Sequence, residues 1–174
     1  EIREAVTPAT LLPLALALGV TLGLVTGLGS GRDWPAFALA WQGVTYGVSD
    51  PYLNRDLGVF VGQLPLWSLL HAFARLLLWS ALLVVAALYA ALGALRWQDR
   101  RPAITDHARR HLGFLLAGCA LVLAWGCLLA PFQVAASGAP LASEWSTLEI
   151  STLALAGAGL AAAAISALWA VRGQ

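Results

Sequence analysis

Charged residues are scarce in this sequence. Only 11% of its 174 residues carry a charge, whereas about a quarter of an average soluble domain is charged. Lysine and methionine are absent, and there are only two cysteines. A net charge of +1 excludes a basic nucleic-acid binder, and two cysteines exclude a disulfide scaffold. Because 60% of the residues are hydrophobic, the chain is too apolar for a disordered protein, and a membrane protein is indicated.

The few charges are clustered, which leaves long charge-free stretches. These are Ala5–Gly31, Leu76–Leu95, His111–Ser143 and Ile150–Val171. Each is long enough for a transmembrane helix, which needs about 20 apolar residues to cross about 30 Å of hydrocarbon. The sequence therefore predicts an all-α fold, a single polytopic transmembrane helical bundle over residues 1–174. We expect about four spans, at residues 10–28, 76–95, 112–131 and 150–171, the second with an N-terminal extension from residue 64.

The arginines predict the orientation of these spans. With four spans, both termini and the middle loop share one side, which holds Arg3, Arg96, Arg100, Arg101, Arg109, Arg110 and Arg172. The other side holds only Arg32 and Arg55. Because cytoplasmic loops carry the excess of Lys and Arg, we expect a bacterial inner-membrane protein with both termini in the cytoplasm. Residues 29–63 and 132–149 are then extracytoplasmic.

Small residues recur at every fourth position in the first and last spans. The first span carries Gly19, Gly23, Gly27 and Gly31, and the last carries Ala154, Ala158, Ala162, Ser166 and Ala170. Residues four apart share one helix face, and small side chains there let helices approach closely in lipid. We expect these rows to pack the helices on each other or on helices of another chain.

A polar stripe follows the start of the second helix. Ser68, His71 and Arg75 are spaced to lie on one face. Arg75 either extends its side chain to the outer interface or pairs with an Asp of the outer loop. Because an ionisable residue at membrane depth is often functional, Arg75 is also a candidate site residue. A transport role or a chlorophyll-type pigment bound by His71 is the remaining alternative, so His71 is the one candidate cofactor ligand.

The loop between the first two spans has its own pattern. Asp33-Trp34-Pro35 predicts a short interfacial helix, with Phe37 and Trp41 towards the lipid. Asp50 and Asp56 then follow among turn residues. We expect these carboxylates to cap turns or to pair with Arg55 or Arg75; oxygen ligation of calcium is the alternative, although the spacing misses the EF-hand pattern.

A recognisable motif runs from this loop into the start of the second helix. It consists of Leu64 and seven further residues. They are Tyr46, Gly47, Asp50, Pro51, Asp56, Phe60 and Pro65. The run resembles the stretch PFGxxDPxFxxDxxFYxFxLP of a large bacterial membrane-protein family, catalogued as uncharacterised protein family UPF0182. Trp34 and Phe37 match the preceding W..F of that family, and the run from Arg109 to Leu112 resembles its RAHL at the start of the next span.

The resemblance covers roughly residues 30–115 and implies a partial, divergent member of the family. Family members are much longer, with several N-terminal spans and a large extracytoplasmic domain. Their aromatic pair after the second Asp is reduced here to Val59-Phe60, and their Arg- and Tyr-rich segment after the third span is replaced by Ala130–Ala135. The family offers no established activity or catalytic residue to transfer.

The cytoplasmic loop offers one further pattern. Thr105 or Asp106 can cap the third helix, which places His107 and His111 one turn apart, as metal ligands can be. Four arginines nearby would repel a cation, so an interfacial basic belt that contacts anionic lipid is favoured. We predict no metal site, and we expect Cys119 and Cys127 to be small apolar packing residues.

No nucleophile elbow, P-loop, zinc motif or dinucleotide fingerprint is present in the sequence. We therefore expect a non-enzymatic membrane subunit without catalytic residues, packed through its small-residue rows into a larger assembly, such as a respiratory or photosynthetic complex. The expected partners are lipids and transmembrane helices of other subunits. A transporter or channel component with a vestibule around Arg75 and His71, and a pigment- or lipid-binding subunit, are the alternatives.

Overall fold

The structure is a computed structural model that describes residues 31–43, 45–98, 101–138 and 142–172, together with nine residues between positions 13 and 27. Those nine residues are helical and exposed, and the rest of the first expected span (residues 10–28) lies outside the described residues. The glycine row of this span can be followed at Gly19, Gly23 and Gly27, and at Gly31 in the turn beyond.

A short helix, α1 (Trp34–Gln42), lies between the first expected span and the second helix, as predicted. Pro35 lies in its first turn, where the missing N–H costs no hydrogen bond. Trp34, Phe37 and Trp41 lie three and four residues apart and are 68%, 51% and 93% exposed. This exposed aromatic face is typical of a helix that lies in the membrane interface.

The second helix begins with a wide π-helical turn at Val59–Gln63 and continues as α2 (Leu64–Ala91). It starts where the N-terminal extension was expected but ends four residues before residue 95. Gly93 is the reason, because it adopts the left-handed conformation (φ 69°). The N–H groups of Gly93 and Ala94 donate to carbonyls in the last turn of α2, which is the usual glycine-terminated helix end.

A small antiparallel hairpin, which the sequence analysis did not predict, joins the second and third helices. Its strands are β1 (Leu95–Gln98) and β2 (Arg101–Ile104), with Leu95 opposite Ile104. Gly93 ends one helix and Thr105 begins the next, so the chain between them satisfies its backbone hydrogen bonds by pairing with itself. All of the long elements of the fold are helices.

Two long helices complete the fold, α3 (Asp106–Ala136) and α4 (Ala142–Arg172). The Thr105 hydroxyl accepts a hydrogen bond from the Ala108 N–H at 3.4 Å, so Thr105 is the cap of α3. Pro131, the expected end of the third span, lies buried inside α3, which runs on to Ala136. Proline is tolerated inside membrane helices because neighbouring groups compensate for the lost hydrogen bond.

The helix α3 lies at the centre of the described bundle. In its most apolar 18-residue window 39% of the residues are buried, against 17% in α4 and none in α2. The core is built mainly from small side chains, and among the described residues no large side chain is fully buried. Large apolar side chains point outwards instead, as expected for helices surrounded by lipid or by other helices.

Two glycines bring α3 and α4 together along antiparallel paths. A Cβ on Gly113 of α3 would lie 2.6 Å from the Cβ of Ala170, and one on Gly159 of α4 would lie 2.9 Å from the Cβ of Ala124. Such distances are too short for any real Cβ contact, so both positions require glycine. The two helices therefore pack backbone against backbone, which is the way small residues drive helix association in lipid.

The row of α4 that faces α3 differs from the row read from the sequence. The facing row has small side chains, and its buried members are Thr152, Ala156, Ala163 and Ala170. Ala154, Ala158 and Ala162 are exposed, whereas Ser166 and Ala170 lie towards α3. The difference arises because the contact alternates steps of three and four residues, as an α-helix of 3.6 residues per turn requires, whereas a strict step of four drifts off the contact face.

Candidate functional site

The polar residues of the outer-loop motif are concentrated in one compact turn, residues 45–58. Asp56 holds this turn together. One of its carboxylate oxygens accepts the N–H groups of Tyr46 (3.0 Å) and Gly58 (2.6 Å), and the other accepts the N–H of Gly47 (2.8 Å). Gly47 has a positive φ of 68°, which suits glycine. Asp56 thus connects the start and the end of the turn.

Asp50 shapes the tip of the same turn. Its carboxylate accepts the N–H groups of Tyr52 at 3.0 Å and Leu53 at 2.8 Å, the two residues that follow Pro51 in the turn. Its own N–H donates to the Arg55 carbonyl at 2.8 Å. Of the two interpretations of these carboxylates, turn capping is the one that the structure shows, because backbone N–H groups donate to both Asp50 and Asp56. Calcium ligation stays a prediction.

The backbone hydrogen bonds also affect the acidity of Asp56. The N–H donors of Tyr46 and Gly58 stabilise the charged carboxylate and hold its pKa below the usual value, with Gly47 adding to the effect. Partial desolvation acts in the opposite direction and is outweighed. The ionised form of Asp56 is therefore the form that holds the turn.

The last members of the motif link the turn to the bundle. Phe60 lies in the π-helical turn, with its ring centroid 6.3 Å from that of Phe132 in α3. Pro65 lies in the first turn of α2, and Tyr46 and Pro51 are exposed. The motif of the outer loop thus builds a turn and fixes it to the start of the second helix, at what we call the loop end of the bundle, opposite the hairpin end that carries β1 and β2.

Two members of the polar stripe are used between helices. Ser68 accepts a hydrogen bond from the side-chain amide of Gln133 at 3.2 Å. His71 Nε2 lies 3.1 Å from the carbonyl oxygen of Val122. Since a carbonyl can only accept, Nε2 carries the proton and donates it, and both contacts join α2 to α3.

His71 fits closely into a space that Gly126 provides. A Cβ on Gly126 would lie 2.7 Å from His71 Nε2, so a larger residue there would displace the His71 ring from its present position. The Trp125 ring packs edge-on against the His71 ring, at a centroid distance of 5.5 Å. In this tautomer Nε2 has no lone pair for a metal, so only Nδ1 could ligate a pigment. The geometry favours a structural role for His71, and a pigment stays a prediction.

Arg75 differs from the other two members of the stripe. Its side chain is exposed, and it forms no ion pair with any residue that the structure describes. The predicted alternative of an outer-loop Asp partner is not realised, because Asp50 and Asp56 are occupied within their own turn. Arg75 is thus presented on the outer surface of α2.

The hairpin end carries an aromatic and histidine cluster. The Tyr89 hydroxyl lies 3.1 Å from His111 Nδ1, and the His107 ring packs near both. Arg109 pairs with Asp106 at 2.8 Å. Within the described ranges, no three His, Cys, Asp or Glu side chains are grouped to hold a metal ion. Cys119 is buried in α3 and Cys127 partly buried, and both are free thiols.

Sequence reasoning missed the partners of the stripe and the wide turn before α2. Gln133 is separated from Ser68 by 65 positions, and Gly126 from His71 by 55, so no local pattern links them. The glycines of the third span were a usable signal, since Gly113 and Gly126 both lie where another group approaches closely. The π-helical turn has no sequence signature of its own.

Three described helices are long and apolar enough to cross a membrane, with mean hydropathies of 2.0, 2.3 and 1.9. Together with the exposed apolar surface, they define the class of this protein: it is a polytopic membrane protein of the helical-bundle type. The profile of "Uncharacterised protein family (UPF0182)" matches residues 2–172. The chain therefore belongs to this family, as the outer-loop motif implied.

Individual relatives agree with this assignment. A UPF0182 protein from Synechococcus sp. (strain JA-3-3Ab) is 33% identical over 166 residues, which cover 92% of this chain and 19% of the relative. A second, from Geobacter sulfurreducens, is 31% identical over 126 residues, covering 72% of this chain and 14% of the relative. The chain thus spans less than a fifth of the length of these relatives. No solved structure matches the chain.

Proposed function

We propose that this chain is a non-enzymatic membrane subunit whose helices pack into a larger membrane protein assembly, with Arg75 as a main contact. The proposal includes a bacterial inner-membrane location with both termini in the cytoplasm. The main support for a protein partner is that Arg75 is exposed on α2 at a level where a charge is costly in lipid. Exposed apolar helix faces do not support a protein partner, because lipid can cover them equally well.

The depth of Arg75 follows from its neighbours on α2. His71, one turn before it, contacts Val122, and Leu78, about one turn after it, lies against Gly118. Arg75 therefore lies level with the part of α3 between Gly118 and Val122. That level is about ten residues, or roughly 15 Å, from the charged start of α3 at Arg110. Half of a hydrocarbon core is also about 15 Å, so the proposal takes Arg75 to lie inside the hydrocarbon, deeper than the outer-interface position that the expected span at residues 76–95 implies.

A guanidinium at this depth is costly unless it has an anionic partner. Among the described residues, no helix carries a carboxylate level with Arg75. The nine carboxylates of the chain all lie outside the expected spans, at Glu1, Glu4, Asp33, Asp50, Asp56, Asp99, Asp106, Glu144 and Glu149. A carboxylate on a transmembrane helix from elsewhere in the assembly would satisfy Arg75 and would also select that helix.

The transporter alternative requires a polar path that continues from Arg75. Ser68 and His71 do not extend such a path outwards, because both are engaged with α3. A docking role needs only the single exposed charge, so the geometry favours docking.

The experiment is site-specific photo-crosslinking in intact bacterial membranes. A photoreactive amino acid replaces Trp79, which lies one turn from Arg75 and is 45% exposed, and in a parallel variant it replaces Leu168 on α4. We expect Trp79 to crosslink to a transmembrane helix that carries Asp or Glu at matching depth. Arg75→Glu should reduce this product about tenfold or more, since a lost membrane-buried ion pair exceeds about 1.4 kcal/mol.

The matched control is Arg110→Glu, which changes an exposed arginine near the start of α3. This variant should leave the crosslinked product unchanged. Reversal of the partner's carboxylate to arginine should restore the crosslink in the Arg75→Glu variant. Crosslinks to lipid alone would contradict the docking role. An ion flux in proteoliposomes that Arg75→Ala abolishes would instead support the transporter alternative.

A further inference from the structure

A groove of about 450 Å³ runs between α2 and α3 at the loop end of the bundle. Arg55 and Gln63 lie at its outer end, and apolar side chains, including Trp67, Trp125 and Phe132, form its walls. The groove therefore has polar side chains at one end and apolar side chains along the rest, which matches an amphipathic ligand. This groove lies towards the loop end from Arg75 and is independent of the docking role proposed above.

The outer end of the groove offers a cation to a ligand. Arg55 is exposed and forms no ion pair within the described part of the chain. Its backbone is fixed, because its carbonyl accepts the Asp50 N–H and the preceding residue, Asn54, is held in the left-handed conformation (φ 50°). The turn that Asp50 and Asp56 organise thus positions this arginine at the groove.

The π-helical turn shapes the same end of the groove. In this turn the Leu64 N–H donates to the carbonyl of Val59, five residues earlier, instead of four. The wider turn places Val59, Gln63 and Leu64 together along one wall. Wide turns of this kind occur preferentially at functional sites. Here the turn adds an amide, that of Gln63, beside the arginine.

The walls continue the groove into the membrane. Trp67 and Trp125 meet edge to face with ring centroids 6.2 Å apart, about seven residues or 10 Å further in than the contact of Phe60 with Phe132. Trp67 is 48% exposed, so this surface is open to a ligand from the lipid phase. Tryptophan is enriched at the membrane–water interface, so Trp67 and Trp125 indicate that the groove crosses the boundary between headgroups and acyl chains, with Arg55 on its outer side.

A neighbouring groove shows what the charge adds. It measures about 500 Å³ between α3 and α4 and shares Trp125 and Leu128 with the first groove, but no charged side chain lines it. An acyl chain can lie in either groove. Only the groove with Arg55 can distinguish an anionic from a zwitterionic headgroup, because a net negative charge favours the arginine.

We propose that the groove between α2 and α3 binds one anionic phospholipid, with its phosphate at Arg55 and Gln63 and an acyl chain along Trp67 and Trp125. Phosphate is the group that the planar guanidinium binds best, through paired N–H donors. The outer-loop motif then has a purpose beyond its own folding, since the turn that it builds positions the lipid-binding arginine.

The test is native mass spectrometry of the full chain with defined lipids. Phosphatidylglycerol and phosphatidylcholine with identical acyl chains are added in equal amounts. We expect one phosphatidylglycerol to be retained, in preference to phosphatidylcholine by about fivefold or more, as one arginine near a headgroup allows. Arg55→Ala should abolish this preference, and Arg55→Lys should keep part of it.

The control variant is Arg32→Ala, which removes another exposed arginine at the loop end that does not line the groove. It should retain the wild-type preference. Fluorescence with lipids brominated on the acyl chain provides a second readout: brominated phosphatidylglycerol should quench the wild type more than the Trp67→Phe variant. This difference should disappear in Arg55→Ala.

Three results would overturn the proposal. One is equal retention of both lipids by the wild-type chain. Another is an unchanged preference for phosphatidylglycerol in Arg55→Ala. The third is displacement of the lipid by glycerol phosphate at equal concentration, which would mean that the apolar walls contribute nothing to lipid binding. A second copy of the chain covering the groove would appear as a dimer without lipid, and this too would overturn it.

Discussion

At the residue scale, the acidic residues of the outer loop serve folding. Asp56 satisfies three backbone N–H groups, and Asp50 satisfies two more. An exposed loop without regular structure would otherwise leave these donors to water. The aspartates of the family motif thus need no catalytic role to account for their presence.

The lowered pKa of Asp56 leads to a prediction for pH. Because the backbone N–H groups bind the charged carboxylate, its contribution to stability is fully present above the ordinary pKa of about 3.9 and is lost as the pH falls through the lowered pKa of the folded turn. We expect the amide proton shifts of Gly47 and Gly58 to move together in that acidic range. Nuclear magnetic resonance of the chain in micelles measures this.

The amide of Gly43, which donates to the Leu39 carbonyl, is the internal control and should not follow this titration. Asp56→Asn should remove the shared titration of Gly47 and Gly58. A common midpoint above about 4, or an unchanged titration in Asp56→Asn, would show that Asp56 does not hold the turn.

At the scale of elements, the closest packing is between α3 and α4. It depends on two glycines, Gly113 and Gly159, each facing an alanine of the partner helix. The contact of α2 with α3 is different in kind, because it uses His71, Ser68 and aromatic rings. Small residues therefore determine one side of α3, and larger polar and aromatic groups determine the other.

Gly159 and Gly157 provide a matched pair for testing this packing. An added Cβ on Gly159 would meet Ala124 at 2.9 Å, whereas one on Gly157 would meet nothing within 4 Å. Both substitutions to alanine gain the same helix propensity, up to about 1 kcal/mol. We expect Gly159→Ala to be about 1–3 kcal/mol less stable than Gly157→Ala, as overpacking predicts.

Unfolding of both variants by denaturant in the same mixed micelles measures the difference. Gly113→Ala, at the other end of the contact, should behave as Gly159→Ala does. Equal stabilities of the Gly157 and Gly159 variants would mean that α3 and α4 do not approach each other closely at this point.

At the scale of the whole molecule, charge separates the two ends of the bundle. The sequence between α2 and α3 carries Arg96, Arg100 and Arg101, and Arg109 and Arg110 follow in the first turns of α3, at the hairpin end. The loop end has only Arg32 and Arg55 in the corresponding connection. The positive-inside rule then predicts that the hairpin end faces the cytoplasm.

Cysteine labelling in intact cells tests this orientation. With Cys119 and Cys127 replaced by alanine, a cysteine is introduced at the exposed Val48 of the loop end or at the exposed His107 of the hairpin end. A membrane-impermeant maleimide should label Val48→Cys in intact cells and His107→Cys only after lysis. The reverse pattern would refute a cytoplasmic hairpin end, and with it the expected position of the termini.

The candidate site could be predicted from the sequence only in part. The turn-capping role of Asp50 and Asp56 and the interfacial helix α1 follow from local residue types, which act within a few positions. The partners of Ser68 and His71 lie more than 50 positions away, and the groove at Arg55 joins a loop to two helices. Such contacts depend on how the helices are aligned, which no local pattern specifies.

The sequence by itself determined that this chain forms long apolar helices, because a charge-free stretch of about 20 residues has one stable solution in lipid. It also determined the family, through the motif between Tyr46 and Pro65. Only the tertiary structure decided which row of α4 contacts α3 and which part of α3 lies level with Arg75. The alignment of two helices depends on where their backbones can approach, and that is settled by pairs such as Gly159 with Ala124 and His71 with Gly126.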